Sequence, residues 1–205
     1  MKIVIFGASG KIGTAVANLL SPEHEVIKVS RSGDIATDYL DPVATEAVFQ
    51  QVSGIDAVVV AVGGDSQFKP YHELTDDDIR YGAERKLVAQ FRIVSLAEKY
   101  LNQGGSVTLT SGFLSHYPNP SSLGTGPFNA AIDTYVRQSA DLLDNGLRLN
   151  VVSPAPVVEP NRVRTGLVSA LQVAEYYVRS ITSQDTGTVY RAWGGLDDTN
   201  DQSAH

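Results

Sequence analysis

The sequence predicts an α/β protein of the Rossmann type: a doubly wound, mainly parallel sheet of about seven strands flanked by helices. Three observations carry that expectation. Residues 2–13 read Lys-Ile-Val-Ile-Phe-Gly-Ala-Ser-Gly-Lys-Ile-Gly, a short apolar run followed by three spaced glycines. Residues 14–20 then continue at helical spacing. Beyond them, short apolar runs alternate with helical patterns to the end of the chain, as crossover helices between parallel strands require.

Residues 3–6 are apolar at every position, as a strand covered on both faces must be. Gly7 permits a tight turn, Gly10 lets a pyrophosphate approach the backbone, and Gly13 lets the following helix lie close to the strand. Phosphates would rest on free amides at the positive end of that helix, with Ser9, Lys11 and Ile12 in the same loop. A second strand is expected at 25–30 and a short third at 35–37. Asp41 caps a helix that Pro42 opens and that runs through Val52. Residues 55–62 read as a central parallel strand. Thr75 and the three following aspartates start a helix whose apolar spacing runs from Ile79 to Leu101. Gly104 and Gly105 are its expected stop, and 106–110 the next strand. A helix is expected at 130–143, a turn at Gly146 and a strand at 147–152. A helix around 169–181 and a last strand at 187–192 complete the alternation. Residues 1–196 thus read as one nucleotide-binding domain and 197–205 as a polar tail.

Composition narrows the function. The chain has 205 residues, 42% of them hydrophobic, enough for a sizeable core. A formal net charge of −7 disfavours nucleic acid or an anionic membrane as the main partner. The absence of cysteine excludes disulfides, thiolate metal ligands and cysteine nucleophiles. No apolar run is long enough to span a bilayer, and the first strand leaves no room for a signal peptide, so a cytoplasmic protein is expected. His24, His72 and His116 lack metal-ligand spacing, and Asp76, Asp77 and Asp78 read as helix-start charges, so no metal is expected.

Four motifs then occur in a telling order. They are the glycine spacing at 7, 10 and 13, Asp-Ala-Val-Val-Val-Ala-Val-Gly at 56–63, Ser-Val-Thr-Leu-Thr-Ser-Gly at 106–112, and Arg-Leu-Asn-Val-Val-Ser-Pro-Ala at 148–155. On these motifs the chain resembles a short-chain dehydrogenase/reductase over nearly its full length. It departs from the typical branch at Lys11, where that branch has glycine, at Val60 and Ala61, where it has asparagines, and at Ala155, where it has glycine. The resemblance implies a nicotinamide cofactor contacted by Ala61, Val62 and Gly63, with Pro154, Ala155 and Val157 near the nicotinamide. Residues 158–168 stand in place of a longer substrate lid. The resemblance also implies a homodimer or homotetramer built on the helices at 79–101 and 130–143, and a small-molecule substrate.

Cofactor choice is read at the end of the second strand. An acidic residue there selects NAD, and an arginine accommodates the 2′-phosphate of NADP. Here Arg31 and Ser32 come directly after the strand, with Lys11 as a second charge, so NADP(H) is favoured over NAD(H). Asp38 falls at the family position that meets the adenine amino group.

The family's proton chemistry uses a tyrosine and a lysine four residues later, a serine, and an asparagine in the preceding helix. This chain keeps the serine as Ser111. Thr125 falls at the tyrosine position and Asn129 at the lysine position, and neither can do the original work, although Asn129 can hydrogen-bond a ribose. Lys86 falls at the asparagine position and is the expected replacement cation, binding the cofactor ribose or polarising a substrate oxygen, and able also to donate a proton if burial lowers its pKa. Tyr117, in a proline-rich loop, is a second candidate acid. The expectation is a divergent NADP(H)-dependent oxidoreductase acting on a small carbonyl, alcohol or quinone-type substrate. The other class is an NADP(H)-binding sensor or scaffold with weak catalysis.

Overall fold

The first apolar run becomes β1 (Lys2–Phe6), in which residues 3–6 expose no surface. The structure, a computed structural model, is described for residues 1–64 and 67–196, so the expected tail lies outside the described residues. After β1 come α1 (Lys11–Leu20), β2 (Glu25–Ser30), β3 (Ile35–Ala36), α2 (Pro42–Gln51) and β4 (Ile55–Val60). The chain continues through α3 (Asp76–Gly82), a π-helical turn (Ala83–Val88), α4 (Ala89–Tyr100), β5 (Leu101–Thr110) and α5 (Gly126–Ser139). It closes with β6 (Arg148–Pro154), β7 (Val157–Val158), β8 (Val168–Ser169), α6 (Ala170–Thr182) and β9 (Val189–Ala192).

Seven strands form one sheet in the order β3-β2-β1-β4-β5-β6-β9, every neighbour parallel. β1 pairs with β2 on one side and β4 on the other, so the chain reverses its winding there. Crossover helices consequently diverge to opposite faces, leaving a crevice beyond the carboxyl ends of β1 and β4. Alternation along β1 divides the core. Val4 and Phe6 pack with Phe49, Ile93 and Ile132 under α2, α4 and α5, while Ile3 and Ile5 pack with Val16, Leu20 and Tyr177 under α1 and α6.

Local chemistry explains the boundaries. Asp41 Oδ1 accepts from the amides of Val43 (2.8 Å) and Ala44 (3.2 Å), the expected cap. Thr75 and Asp78 form a reciprocal capping box at the start of α3, and Ser169 with Gln172 forms another on α6. Beyond shifts of one or two residues, three features differ from expectation. The helix read at 79–101 is divided by the π turn and ends at Tyr100, because Leu101 is already extended and enters β5. Gly104 and Gly105 lie within β5, where the register with β4 shifts, rather than stopping the helix. The helix read at 130–143 begins four residues earlier, at Gly126, with Pro127 in its first turn, and gives way to a 3-10 turn at Ala140–Leu142.

Candidate active site

The crevice has two lobes. The first, about 660 Å³, begins at the glycine loop. Gly7 has φ +79°, and a Cβ there would stand 2.3 Å from the Ala61 carbonyl oxygen. A Cβ on Gly13 would stand 2.2 Å from the Gly7 oxygen, so both glycines are demanded by the packing of strand, turn and helix. Gly10 is the N-cap of α1 and no side chain caps the first turn, which leaves its amides directed at the lobe. Ser9, Gly10, Lys11 and Ile12 line the near end, Arg31 and Asp38 the far end, and Val62, Gly63 and Val157 the sides.

Some expected contacts are qualified. Ser32 is exposed and outside the lining; the buried Ser30 lines the lobe in its place, and its hydroxyl accepts from the Ser32 amide at 3.3 Å. Lys11 is 70% exposed and 3.8 Å from Glu159, so its charge is shared and screened. Asp38 also accepts from the Leu40 amide at 3.0 Å, which fixes its loop. Arg85, which sequence reasoning passed over, lines the same lobe.

The second lobe, about 450 Å³, shares the wall formed by Ile12, Ala61, Val62 and Gly63. Lys86, Ser111, Thr125, Asn129, Pro154 and Ala155 line it, among apolar groups that include Phe68, Phe113 and Leu114. Sequence positions far apart thus converge as expected. The π turn aims Lys86: its side chain passes over Gly63, where a Cβ would clash with Lys86 Cδ at 2.7 Å, and donates to the Ser111 carbonyl at 2.9 Å. Gln90 braces that arrangement. Its amide donates to the carbonyls of Lys86 (2.7 Å) and Thr110 (2.9 Å) and accepts from the Thr110 amide (2.9 Å), tying the π turn to the end of β5.

Burial sets the electrostatics. Lys86 is 6% exposed, and desolvation pushes its ammonium down to about 8 against the opposing pull of Asp133. Asp133, on α5 one turn beyond Asn129, is 2% exposed. Burial pushes its carboxyl up, while the hydroxyls of Ser111 and Ser115 act the other way. Three buried atoms in this region have no hydrogen-bond partner: Ser111 Oγ, Asn129 Oδ1 and Asp133 Oδ1. Such groups are costly unless something completes them.

Tyr117 stands apart from the residues that line the two lobes. It is absent from the described lining and packs instead against Phe113, ring centroids 5.8 Å apart, and edge-on to Trp193 at 5.5 Å. Asp133 and Gln90 were missed by sequence reasoning. Each lies four residues after a residue already expected in the cleft, Asn129 and Lys86, and so on the same helical face.

The residues fit a nicotinamide dinucleotide. The first turn of α1 is uncapped, Asn129 Oδ1 is orphaned, and the two lobes are continuous. Fold and site together define a Rossmann-type α/β protein with its crevice at the switch point. A family model described as "Enoyl-(Acyl carrier protein) reductase" matches residues 3–189. The chain therefore belongs to the short-chain dehydrogenase/reductase family of oxidoreductases, as its motifs imply.

Individual relatives agree. Lin1944 from Listeria innocua, a solved structure, is 32% identical with a TM-score of 0.87, covering 94% of this chain and 100% of that one. A small-chain dehydrogenase solved in complex with NADPH shares the fold at 24% identity and a TM-score of 0.85, covering 95% and 97%. General stress protein 39 of Bacillus subtilis (strain 168) is 22% identical over 167 residues, 75% of this chain and 58% of that protein. This chain spans less than two thirds of the length of the curated relatives it matches. Among the described residues, no helix is long and apolar enough to cross a membrane.

Proposed function

We propose that this chain is an NADP(H)-dependent reductase of small carbonyl or quinone-type substrates. The observation that carries the reading is Lys86: a buried cation, held by a π turn beside Ser111, in the lobe that continues from the glycine loop. Burying that ammonium opposes folding, a cost that supports a role for it in the site.

The first-turn amides of α1 would hold the pyrophosphate, and Arg31 the 2′-phosphate. Asn129 Oδ1 would accept from the ribose next to the nicotinamide. Bound in this way, the reduced nicotinamide supplies a hydride. Ser111 holds the substrate oxygen and Lys86 polarises it, so negative charge developing on that oxygen meets a fixed cation in a site of low dielectric. The apolar walls from Phe68, Phe113 and Leu114 favour a small, largely apolar substrate bearing one reducible oxygen.

The test is NADPH consumption with 4-nitrobenzaldehyde and 9,10-phenanthrenequinone as probes. Turnover that prefers NADPH to NADH and collapses in Lys86→Met is expected. Turnover indifferent to Lys86→Met, or none with either probe, contradicts the reading.

A further inference from the structure

The second lobe is polar at its buried floor and apolar at its exposed mouth. On the floor Lys86, Thr110, Ser111, Thr125 and Asn129 are each 6% exposed or less. Among the described residues that line the lobe, Lys86 alone carries a charge, so the polar end of a ligand has one place to go. At the mouth Phe68 lines the same lobe while 57% exposed, and the half-buried Phe113 and Leu114 add to the apolar wall. Asn119 is a polar side chain at this exposed end, and its Oδ1 already accepts from the Ser121 amide at 2.8 Å. A cleft open to water ordinarily carries its polar groups outermost and its apolar groups within. Here the order is reversed.

Phe68 is held at that mouth by its neighbours. Gln67 forms an isolated antiparallel bridge with Gly124, and the Lys69 amide donates to the Ser121 carbonyl at 3.0 Å. The Lys69 ammonium pairs with Asp78 of α3 at 2.7 Å. A Cβ on Gly124 would stand 2.6 Å from the Gln67 oxygen, and one on Gly82 would stand 2.3 Å from the Gly124 oxygen. The segment is therefore seated, through Gly124, on the end of α3. With the residues on both sides of it tied down, the Phe68 ring keeps apolar area in water that folding does not cover and a ligand can.

We propose that the substrate carries its carbonyl on an unbranched apolar tail that leaves the lobe through this mouth and lies against Phe68. The inference rests on the reductase reading, which sets the carbonyl oxygen at Ser111 and Lys86, and it adds the substrate class: a straight-chain aliphatic aldehyde or ketone. A polyhydroxylated substrate would press hydroxyls against Phe68, Phe113 and Leu114, where they lose water without gaining a partner. A very short aldehyde would reach the floor but leave Phe68 in water. Affinity therefore grows with each methylene until the tail has passed the ring. Phe68 sets specificity from the mouth and takes no part in the chemistry at the floor.

The test reads binding and turnover separately on the full chain. In isothermal titration, with and without NADPH, octanamide is expected to bind about tenfold or more tighter than butanamide, neither amide being reducible here. In NADPH turnover, kcat/KM is expected to rise about twofold for each methylene from butanal to octanal. Phe68→Ser should lower both long-to-short ratios about fivefold while leaving butanal within about twofold of wild type. Tyr71→Ser, at a residue 77% exposed and outside the described lining, should leave both ratios unchanged. Ratios near one, or ratios that Phe68→Ser does not alter, would overturn the proposal. So would sedimentation showing that Phe68→Ser dissociates an oligomer with the ratios unchanged, because the ring would then serve an interface between copies. Reduction of 4-nitrobenzaldehyde without any chain-length preference sinks the proposal and leaves the reductase reading standing. Chain-length-dependent amide binding without NADPH oxidation by any aldehyde supports the tail site and counts against the reductase reading.

Discussion

The two lobes of the crevice are built from different materials. Around Gly7, Gly10 and Gly13 the contacts available to a ligand are backbone amides, and side chains matter chiefly by their absence. Around Lys86 and Ser111 the contacts are side chains delivered by the π turn, the end of β5, and α5. A backbone-built lobe has one solution, so its glycines cannot be exchanged. A side-chain lobe has several, because a cation can reach one point in space from more than one element. That difference is consistent with the reading in which Asn129 and Thr125 fall at the family's lysine and tyrosine positions, since Lys86 brings a cation into the same cleft.

The comparison is broken most severely at the turn. Gly7→Ala forces a Cβ to 2.3 Å from the Ala61 oxygen at φ +79°. A loss of about 3 kcal/mol or more is expected, read as a lower urea midpoint, with nucleotide binding lost as well.

Lys86→Met should separate function from stability. Turnover falls about 100-fold or more, while urea unfolding reports a gain of about 1–2 kcal/mol, since relief from burying a cation exceeds the lost hydrogen bond to Ser111. The pH dependence has a definite sign. Native Lys86 titrates near 8 and unfolded lysine at 10.5, so between those values the unfolded chain binds the extra proton. Wild-type stability relative to Lys86→Met should therefore rise across that window. Carbonyl reduction, which uses the ammonium, should decline as the pH passes about 8.

The smallest effect belongs to Lys11→Ala. Its ammonium is 70% exposed and near Glu159, so NADPH affinity should weaken less than about threefold, by isothermal titration.

Much of the fold was legible because it depends on local rules. Continuous apolar runs marked β1 and β4, Asp41-Pro42 marked the start of α2, and the glycine spacing marked the turn that Gly7 and Gly13 make together. The π turn was not legible. One extra residue in a helical turn rotates the rest of the helix without interrupting apolar spacing, so 79–101 read as one helix, and the contact between Lys86 and Ser111 could not be derived. Gly104 and Gly105 looked like a helix stop because glycine marks helix ends and strand irregularities alike. Tyr117 looked available because chain distance from Ser111 says nothing of the Phe113 and Trp193 rings that hold it. Asp133 was hidden by its ordinary setting, an acid within a helix, until the fold buried it beside two serines.

The most direct measurement is a fluorescence titration of the protein with NADPH and NADH, repeated with Arg31→Ala. The account predicts tighter binding of NADPH, with that preference reduced about tenfold in Arg31→Ala and NADH affinity almost unchanged, as for loss of one charge-assisted phosphate contact. Binding of neither nucleotide, or equal affinities that Arg31→Ala does not alter, would contradict it.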